Sequence, residues 1–392
     1  MIYLDNHATT CCDPRVVEAM LPWLSEHFGN PHSLSHSPGR LAADAIEQSL
    51  SQITRSTNSP EHSIVMTSGA TESNNLAIRG VCLHPRQTRR HFVTVSTEHP
   101  AVLDVAEELR RDGFRVTRVA AYQAGHPCAG SVDLDRLADA IDDDTALVSV
   151  MWANNEVGSI APMKVIADLC HARGALLHSD ATQAIGRIDV DVRKTDVDLV
   201  SGSAHKFYGP KGVGFLVVGN GNRRVRILPQ IVGGGQQDGL RSGTMNPAAA
   251  VAMAKAIELA NHEMRSSQPQ IMGLRGQLFE QLRSRIERIQ LNGPELTLPG
   301  RLPGNLNLTI DQVEGEAWMS ATPGVAFSSG SACSSVEPGA SHVLRAIGLS
   351  ESATRRSVRF GIGRFNTEPE IMEAADQLVE SYRKLQQLTG QR

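Results

Sequence analysis

Short apolar runs alternate along the first two-thirds of the chain with longer segments whose apolar residues recur at helical spacing. Runs at 64–67, 92–95, 147–152, 175–178, 197–200 and 215–218 have the length of buried strands. Between and after them, 39–54 sets Leu41, Ala45, Leu50 and Ile53 on one helical face, 163–173 is a helix closed by Gly174, and 247–264 is another. Asp13 and Pro14 read as the cap and first residue of a helix reaching Phe28, kinked at Pro22. Repeated strand, loop and helix units imply an α/β fold, a mostly parallel sheet with helices on both faces. The pattern changes after 264. Residues 266–269 read as a linker, and a charged amphipathic helix through Arg288, a strand at 305–310 and a segment at 315–322 predict a smaller α+β domain.

Composition narrows the function classes. The 392 residues are 41% hydrophobic and 20% charged with a net charge of -4, an ordinary soluble globular balance. No long basic run points to nucleic acid or a membrane surface, and no apolar stretch approaches a membrane span. The opening MIYLDNHATT has the pattern of neither a secretory signal nor an Arg-rich presequence, so a cytoplasmic or already processed form is expected. Cysteines at 11, 12, 82, 128, 170 and 333 lack C-x-x-C pairs or metal spacing, as reduced thiols in a reducing compartment would. His32 and His36 are four apart but flanked by Pro31 and Pro38, which favours a loop over a metal-binding helix face.

Candidate chemistry collects where the apolar runs end. SGSAHKFYGPKGVG (201–214) places Lys206 in a tight loop between two buried strands, where an amine can be held partly desolvated and neutral enough to form a Schiff base; a surface lysine is the ordinary alternative. Ser68-Gly69-Ala70-Thr71 joins a strand to a helix, leaving free N–H groups and a positive dipole end for an anion, or making an ordinary turn. His99 follows another strand, where open α/β sheets place ligand contacts. Asp180 leaves an apolar run, suited either to a cation such as a protonated pyridine nitrogen or to capping the next helix. Arg359 in SVRFG offers a donor fork for a carboxylate or a protein ion pair. The glycine-rich stretch 231–247 carries one cation, Arg241, and its length suggests function or a subunit contact. Cys333 stands in a tract of very small residues, SSGSACSS, which is expected to pack poorly, move and leave the thiol accessible.

Taken together, YLDNHATT, TSGATESNN, STEHPAVLD, WANNEVG, HSDATQAIG, SGSAHKFYGPKG, GLRSGT, SSGSACSS and VRFGIGRF, in this order from Tyr3 to about Arg364, closely resemble cysteine desulfurases of the NifS and IscS type, within the class V aminotransferase group. The SSGSAC form resembles the first group of that family. The resemblance implies a fold type I pyridoxal-phosphate-dependent transferase, with a large cofactor-binding domain over 14–264 and a small domain from 1–13 plus 265–392 carrying the cysteine loop. It implies that Lys206 holds pyridoxal 5'-phosphate covalently, Asp180 pairs with the pyridine nitrogen, Gln183 donates to the ring oxygen, and His99 stacks on the ring and helps proton transfer. Ala70, Thr71, Ser203 and His205 would hold the phosphate, with Thr244 reaching it from the other subunit of a homodimer. Asn155 and Arg359 would bind the carboxylate of L-cysteine. Cys333 would take the sulfur as a persulfide for acceptor proteins in iron–sulfur cluster assembly, tRNA thiolation or related pathways, leaving alanine. A selenocysteine lyase and a non-catalytic sulfur-relay scaffold are the alternatives. Three stretches depart from the family's pattern: EPGAS before HVLRA, a shortened 315–325 with Trp318 in an unusual place that would alter the approach of Cys333, and Cys11-Cys12 before DPR.

Overall fold

The computed structural model describes residues 1–296, 300–330 and 340–388. A two-residue strand, β1 (Ile2–Tyr3), opens the chain. Seven strands then build the main sheet: β2 (Ile64–Thr67), β3 (His91–Val95), β4 (Arg115–Val119), β5 (Thr145–Ser149), β6 (Leu176–Asp180), β7 (Leu199–Ser203) and β8 (Gly214–Val218), in the order β2-β8-β7-β6-β5-β3-β4. β8 runs antiparallel to β2 and β7, and the other neighbours are parallel.

Both faces of this sheet are covered, which is why its strands read as continuous apolar runs. Successive residues point to opposite faces. Phe92, Leu147 and Leu199 pack with Leu76, Ile78 and Leu109 from the helices Ala70–Cys82 and Pro100–Arg111. Their sequence neighbours Val93, Val148 and Val200 pack on the other face with Ile166 of the helix Met163–Ala172 and with Met253 and Ile257. The run expected at 147–152 pairs as a strand only to Ser149. Beyond it, Val150 and Trp152 still donate backbone bonds to His178 and Asp180, so the loop leaves the sheet alongside β6. β6 in turn extends past the expected 178 to Asp180, held by its pairing with Ser201.

The helix expected over 14–28 is Pro14–Met20, interrupted at Leu21, then Pro22–Ser25. Asp13 caps it by accepting the Arg15 N–H, and Pro22 has no N–H to continue the ladder. The helix expected over 39–54 runs Ser37–Thr57, because His36 Nδ1 accepts the Gly39 N–H at its start and Asn58 turns left-handed at its end.

The linker expected at 266–269 is instead the middle of a helix, Pro247–Arg283, which continues through Pro269. Ser266 and Ser267 return their hydroxyls to carbonyls three residues back, and Gln268 donates to the Arg187 carbonyl, tying this turn to the large sheet's side of the molecule. The helix carries Met253 and Ile257 in one core and Leu274, Leu278 and Leu282 in another. In the second core, β9 (Ile289–Leu291), β10 (Asn305–Ile310), β12 (Ser328–Ser329) and β13 (Ser357–Gly361) form an antiparallel sheet ordered β12-β13-β10-β9, while β1 pairs in parallel with β11 (Val325–Ala326).

Trp318 belongs to this core. It is 1% exposed, donates Nε1–H to the Leu378 carbonyl at 2.9 Å, and meets Phe327, Phe360 and Tyr382 edge to face. Its ring packs the helix Gly315–Ala321 against Glu368–Leu388, while Cys333, whose approach the shortened segment is expected to alter, lies outside the described residues. Among the described residues, no helix is long and apolar enough to cross a membrane.

Candidate active site

A cavity of about 860 Å³ opens between the carboxyl ends of the main-sheet strands and the second sheet. Asp180, Lys206, His99, Ala70, Thr71, Ser203, His205, Gln183, Asn155 and Arg359 all line it. Ten of the sequence candidates thus meet in one place. Thr244 does not line this cavity and is exposed, in the glycine-rich stretch beyond it. Cys333 lies outside the described residues.

Lys206 ends the single turn Ala204–Lys206 that follows β7. Its Nζ donates to the carbonyls of His7 and Ala8, both at 2.6 Å. Burial, then the nearby positive charges of Arg187 and Arg359, lower its pKa to about 7, against the weaker pull of Asp180 and Asp5. The amine can therefore shed its proton near neutral pH. Two residues on, Tyr208 sits in the left-handed region at φ 66°, a conformation that costs a bulky residue on the order of 1–3 kcal/mol. Its N–H donates to Thr10 Oγ1, its hydroxyl accepts the Arg364 N–H, and the Arg364 guanidinium lies 4.4 Å from its ring centre. These contacts hold the bend that aims Lys206.

Asp180 closes β6 and accepts two hydrogen bonds, from Asn74 Nδ2 at 2.8 Å and the Thr182 N–H at 3.0 Å. Glu98, fully buried, accepts the Met151 N–H at 2.6 Å, and burial plus the Asp180 charge push its pKa well up. His99 caps the helix Pro100–Arg111 by accepting the Ala101 N–H at Nδ1, so the proton of the neutral ring is on Nε2. Its pKa is lowered, first by desolvation, while its ring stays open to the cavity.

The strand-to-helix turn considered as an anion cradle lies at the cavity. Gly69, at φ 152°, has a conformation that favours glycine, and it starts the helix Ala70–Cys82, whose first residues line the cavity with Ser203. Glu72 accepts the Ser68 N–H and pairs with Arg241 at 2.8 Å, so the one cation of the glycine-rich stretch braces the cradle. Gln237 of the same stretch clips to the edge strand β2, accepting the Met66 N–H and donating to its carbonyl.

On the opposite wall Arg359, 5% exposed, points from the middle of β13. Its Nη2 reaches Asp5 Oδ1 and Ser328 Oγ at 2.9 Å, and its Nη1 reaches the Asn155 carbonyl at 3.2 Å. The ion-pair reading of this arginine is the one seen, with Asp5 at the edge of the cavity. Sequence reasoning missed Asp5 and His7, which line the cavity directly after β1, and His342, whose Nε2 donates to the Glu98 carbonyl at 2.7 Å. The signal for the first two was a polar Asp-Asn-His run following an apolar start with no turn residue between.

These groups fit pyridoxal phosphate. A buried carboxylate suits its ring nitrogen, an amine of lowered pKa suits its aldehyde, and the cradle suits its phosphate. Two buried polar atoms on cavity-lining residues, Thr182 Oγ1 and His7 Nε2, lack a hydrogen-bond partner among the described residues, as groups that meet a bound molecule do.

Comparison with known proteins agrees. Residues 2–373 match the class-V aminotransferase family. Cysteine desulfurase IscS of Anaeromyxobacter sp. (strain Fw109-5) is 45% identical over 388 residues, 99% of this chain and 94% of that protein. Cysteine desulfurase IscS of Rickettsia felis (strain ATCC VR-1525 / URRWXCal2) is 43% identical over 99% of this chain and 92% of its own. Among solved structures, a NifS-like protein superposes with a TM-score of 0.89 at 33% identity, covering 98% of this chain and 99% of that one. SspA in complex with cysteine does so with a TM-score of 0.80 at 31% identity over 94% of this chain and all of its own. A chain matched along nearly its whole length, with its polar strand ends gathered around one cavity, belongs to the class-V aminotransferase family and, within it, to the pyridoxal-phosphate-dependent cysteine desulfurases.

Proposed function

We propose that this enzyme converts L-cysteine to L-alanine and retains the sulfur as a persulfide on Cys333 for transfer to acceptor proteins, iron–sulfur cluster assembly among their uses. The observation that carries the reading is the meeting of Lys206, its amine lowered to about 7, with Asp180 and His99 around one cavity beside an anion cradle. Pyridoxal phosphate, when bound, supplies the electron sink for the pair left on the substrate α-carbon.

The chain's own groups do the rest. Asp180 holds the pyridine nitrogen protonated, and Gln183 donates to the ring oxygen. Ala70, Thr71, Ser203 and His205 hold the phosphate, with Thr244 supplied by the second subunit of a homodimer; its exposure and distance from this chain's own cavity favour that role. Asn155 and Arg359 bind the substrate carboxylate. Lys206 Nζ would hold the cofactor's aldehyde and is the base for the α-proton; its lowered pKa suits it to accept a proton near neutral pH. His99 would pack against the cofactor ring, and its Nε2 is the atom placed to move a proton. The Cys333 thiolate attacks the substrate sulfur, the carbon–sulfur bond breaks with its electron pair left on carbon, and protonation of that fragment gives alanine. The free thiols at Cys11, Cys12, Cys82, Cys128 and Cys170 suit a reducing cytoplasm.

The test is alanine and persulfide formation from L-cysteine, measured together in wild type and Cys333→Ala. Both are expected to fall to background in the variant. Alanine released at an unchanged rate without Cys333 would overturn the persulfide route.

A further inference from the structure

His7 stands at a junction that the reaction scheme above leaves unused. It is 2% exposed, it lines the cavity, and a Cβ on Gly361 would come within 2.9 Å of its Cδ2, so its ring is seated where only glycine leaves room. Its carbonyl accepts both Lys206 Nζ at 2.6 Å and Gln183 Nε2 at 2.9 Å. Its ring Nδ1 lies 2.9 Å from Gln183 Oε1.

These contacts fix the protons without ambiguity. A carbonyl can only accept, so the end of the Gln183 amide that faces it is the nitrogen. The oxygen then faces His7 Nδ1, and because that oxygen can only accept, Nδ1 carries the hydrogen. Nε2 is left bare, in agreement with its having no partner among the described residues. Burial, and after it the charges of Arg187 and Arg359, with Lys206 adding to them, keep the ring neutral by holding its pKa well below the ordinary value.

We propose that His7 is a positioning residue for the cofactor: by gripping both ends of the Gln183 amide, it holds the amide nitrogen, and not the oxygen, toward the ring oxygen of pyridoxal phosphate. An amide nitrogen has two hydrogens, and only one is used by the His7 carbonyl. The second is the donor that the negative ring oxygen needs. Without the ring of His7 the amide keeps only the His7 carbonyl, which it shares with Lys206, and can swing its second N–H away from the ring oxygen, which loses its donor. The inference rests on the reading that Gln183 meets the ring oxygen.

The experiment titrates the visible absorbance of the holoenzyme with pH for wild type, Gln183→Ala, His7→Ala and His7→Asn. Loss of the donor leaves more charge on the ring oxygen, which holds the neighbouring proton more tightly. The absorbance midpoint is therefore expected to rise by roughly one pH unit in Gln183→Ala and His7→Ala. His7→Asn places an N–H near the former Nδ1 and is expected to restore most of the shift. A midpoint moved by Gln183→Ala but not by His7→Ala overturns the role of His7. A midpoint moved by neither overturns the assignment of Gln183, and with it the inference. An equal shift in His7→Asn and His7→Ala reduces His7 to a space-filling group and also overturns it. Should His7→Ala not fold, nitrogen NMR of the histidine-labelled wild-type holoenzyme decides: His7 is expected as the Nδ1–H form, and an Nε2–H signal contradicts the proposal.

Discussion

On the wall of the cavity made by the main sheet, each functional group leaves the backbone at the end of an element: Asp180 closes β6, Lys206 ends the turn after β7, and His99 caps a helix. On the facing wall, Arg359 points from mid-strand and is held by Asn155 and Asp5, which are 204 and 354 positions away in sequence. The first wall is positioned by local backbone, although Arg359 across the cavity adds to the burial that lowers the Lys206 pKa. The second exists only when the N-terminus, the β5–β6 connection and β13 come together. Substitutions on the first wall should therefore act on the chemical step, and those on the second on substrate binding.

The largest effect is expected from Lys206→Ala. It removes the anchor and the proton-transferring amine, and kcat for alanine release should fall roughly 10²–10⁴-fold while absorbance shows cofactor still bound. Arg359→Lys should raise KM for L-cysteine roughly tenfold or more, because a point charge replaces the fork, with a smaller change in kcat. A kcat loss at constant KM would erase the distinction between the walls.

The pH dependence of cofactor capture sharpens the same comparison. Below a pKa of about 7 the Lys206 amine is protonated and not nucleophilic. The rate at which cofactor-free protein reacts with pyridoxal phosphate should therefore fall about tenfold per pH unit below that value and level off above it. An ordinary lysine would keep gaining rate to beyond pH ~10. The smallest effect is expected from Trp318→Phe, which forfeits the Nε1–H bonds to Leu378 and Ser381 in the second core. Stability should drop by about 1 kcal/mol in denaturant unfolding, with kcat and KM unchanged.

The asymmetry between the walls also explains what the sequence made legible. Residues at strand ends stand out because an apolar run stops at a polar side chain, and Asp180, Lys206 and His99 were found that way. Asp5 and His7 follow only a short apolar start, and their place at the cavity depends on β1 pairing with β11 across more than three hundred residues. The continuous helix through Pro269 was hidden by local chemistry that ordinarily ends helices, Ser-Ser-Gln-Pro, and is sustained by packing in two cores. Trp318 looked displaced because its partners Phe327, Phe360 and Tyr382 are adjacent only in the fold.

The most direct measurement is mass spectrometry of the cysteine-containing peptides after a single turnover with L-cysteine, for wild type and Lys206→Ala. The expected result is one added sulfur on the Cys333 peptide of the wild type and none on that of the variant. Sulfur on Cys11, Cys12 or Cys128 with Cys333 unmodified, or equal labelling of Cys333 in the variant, would contradict the account.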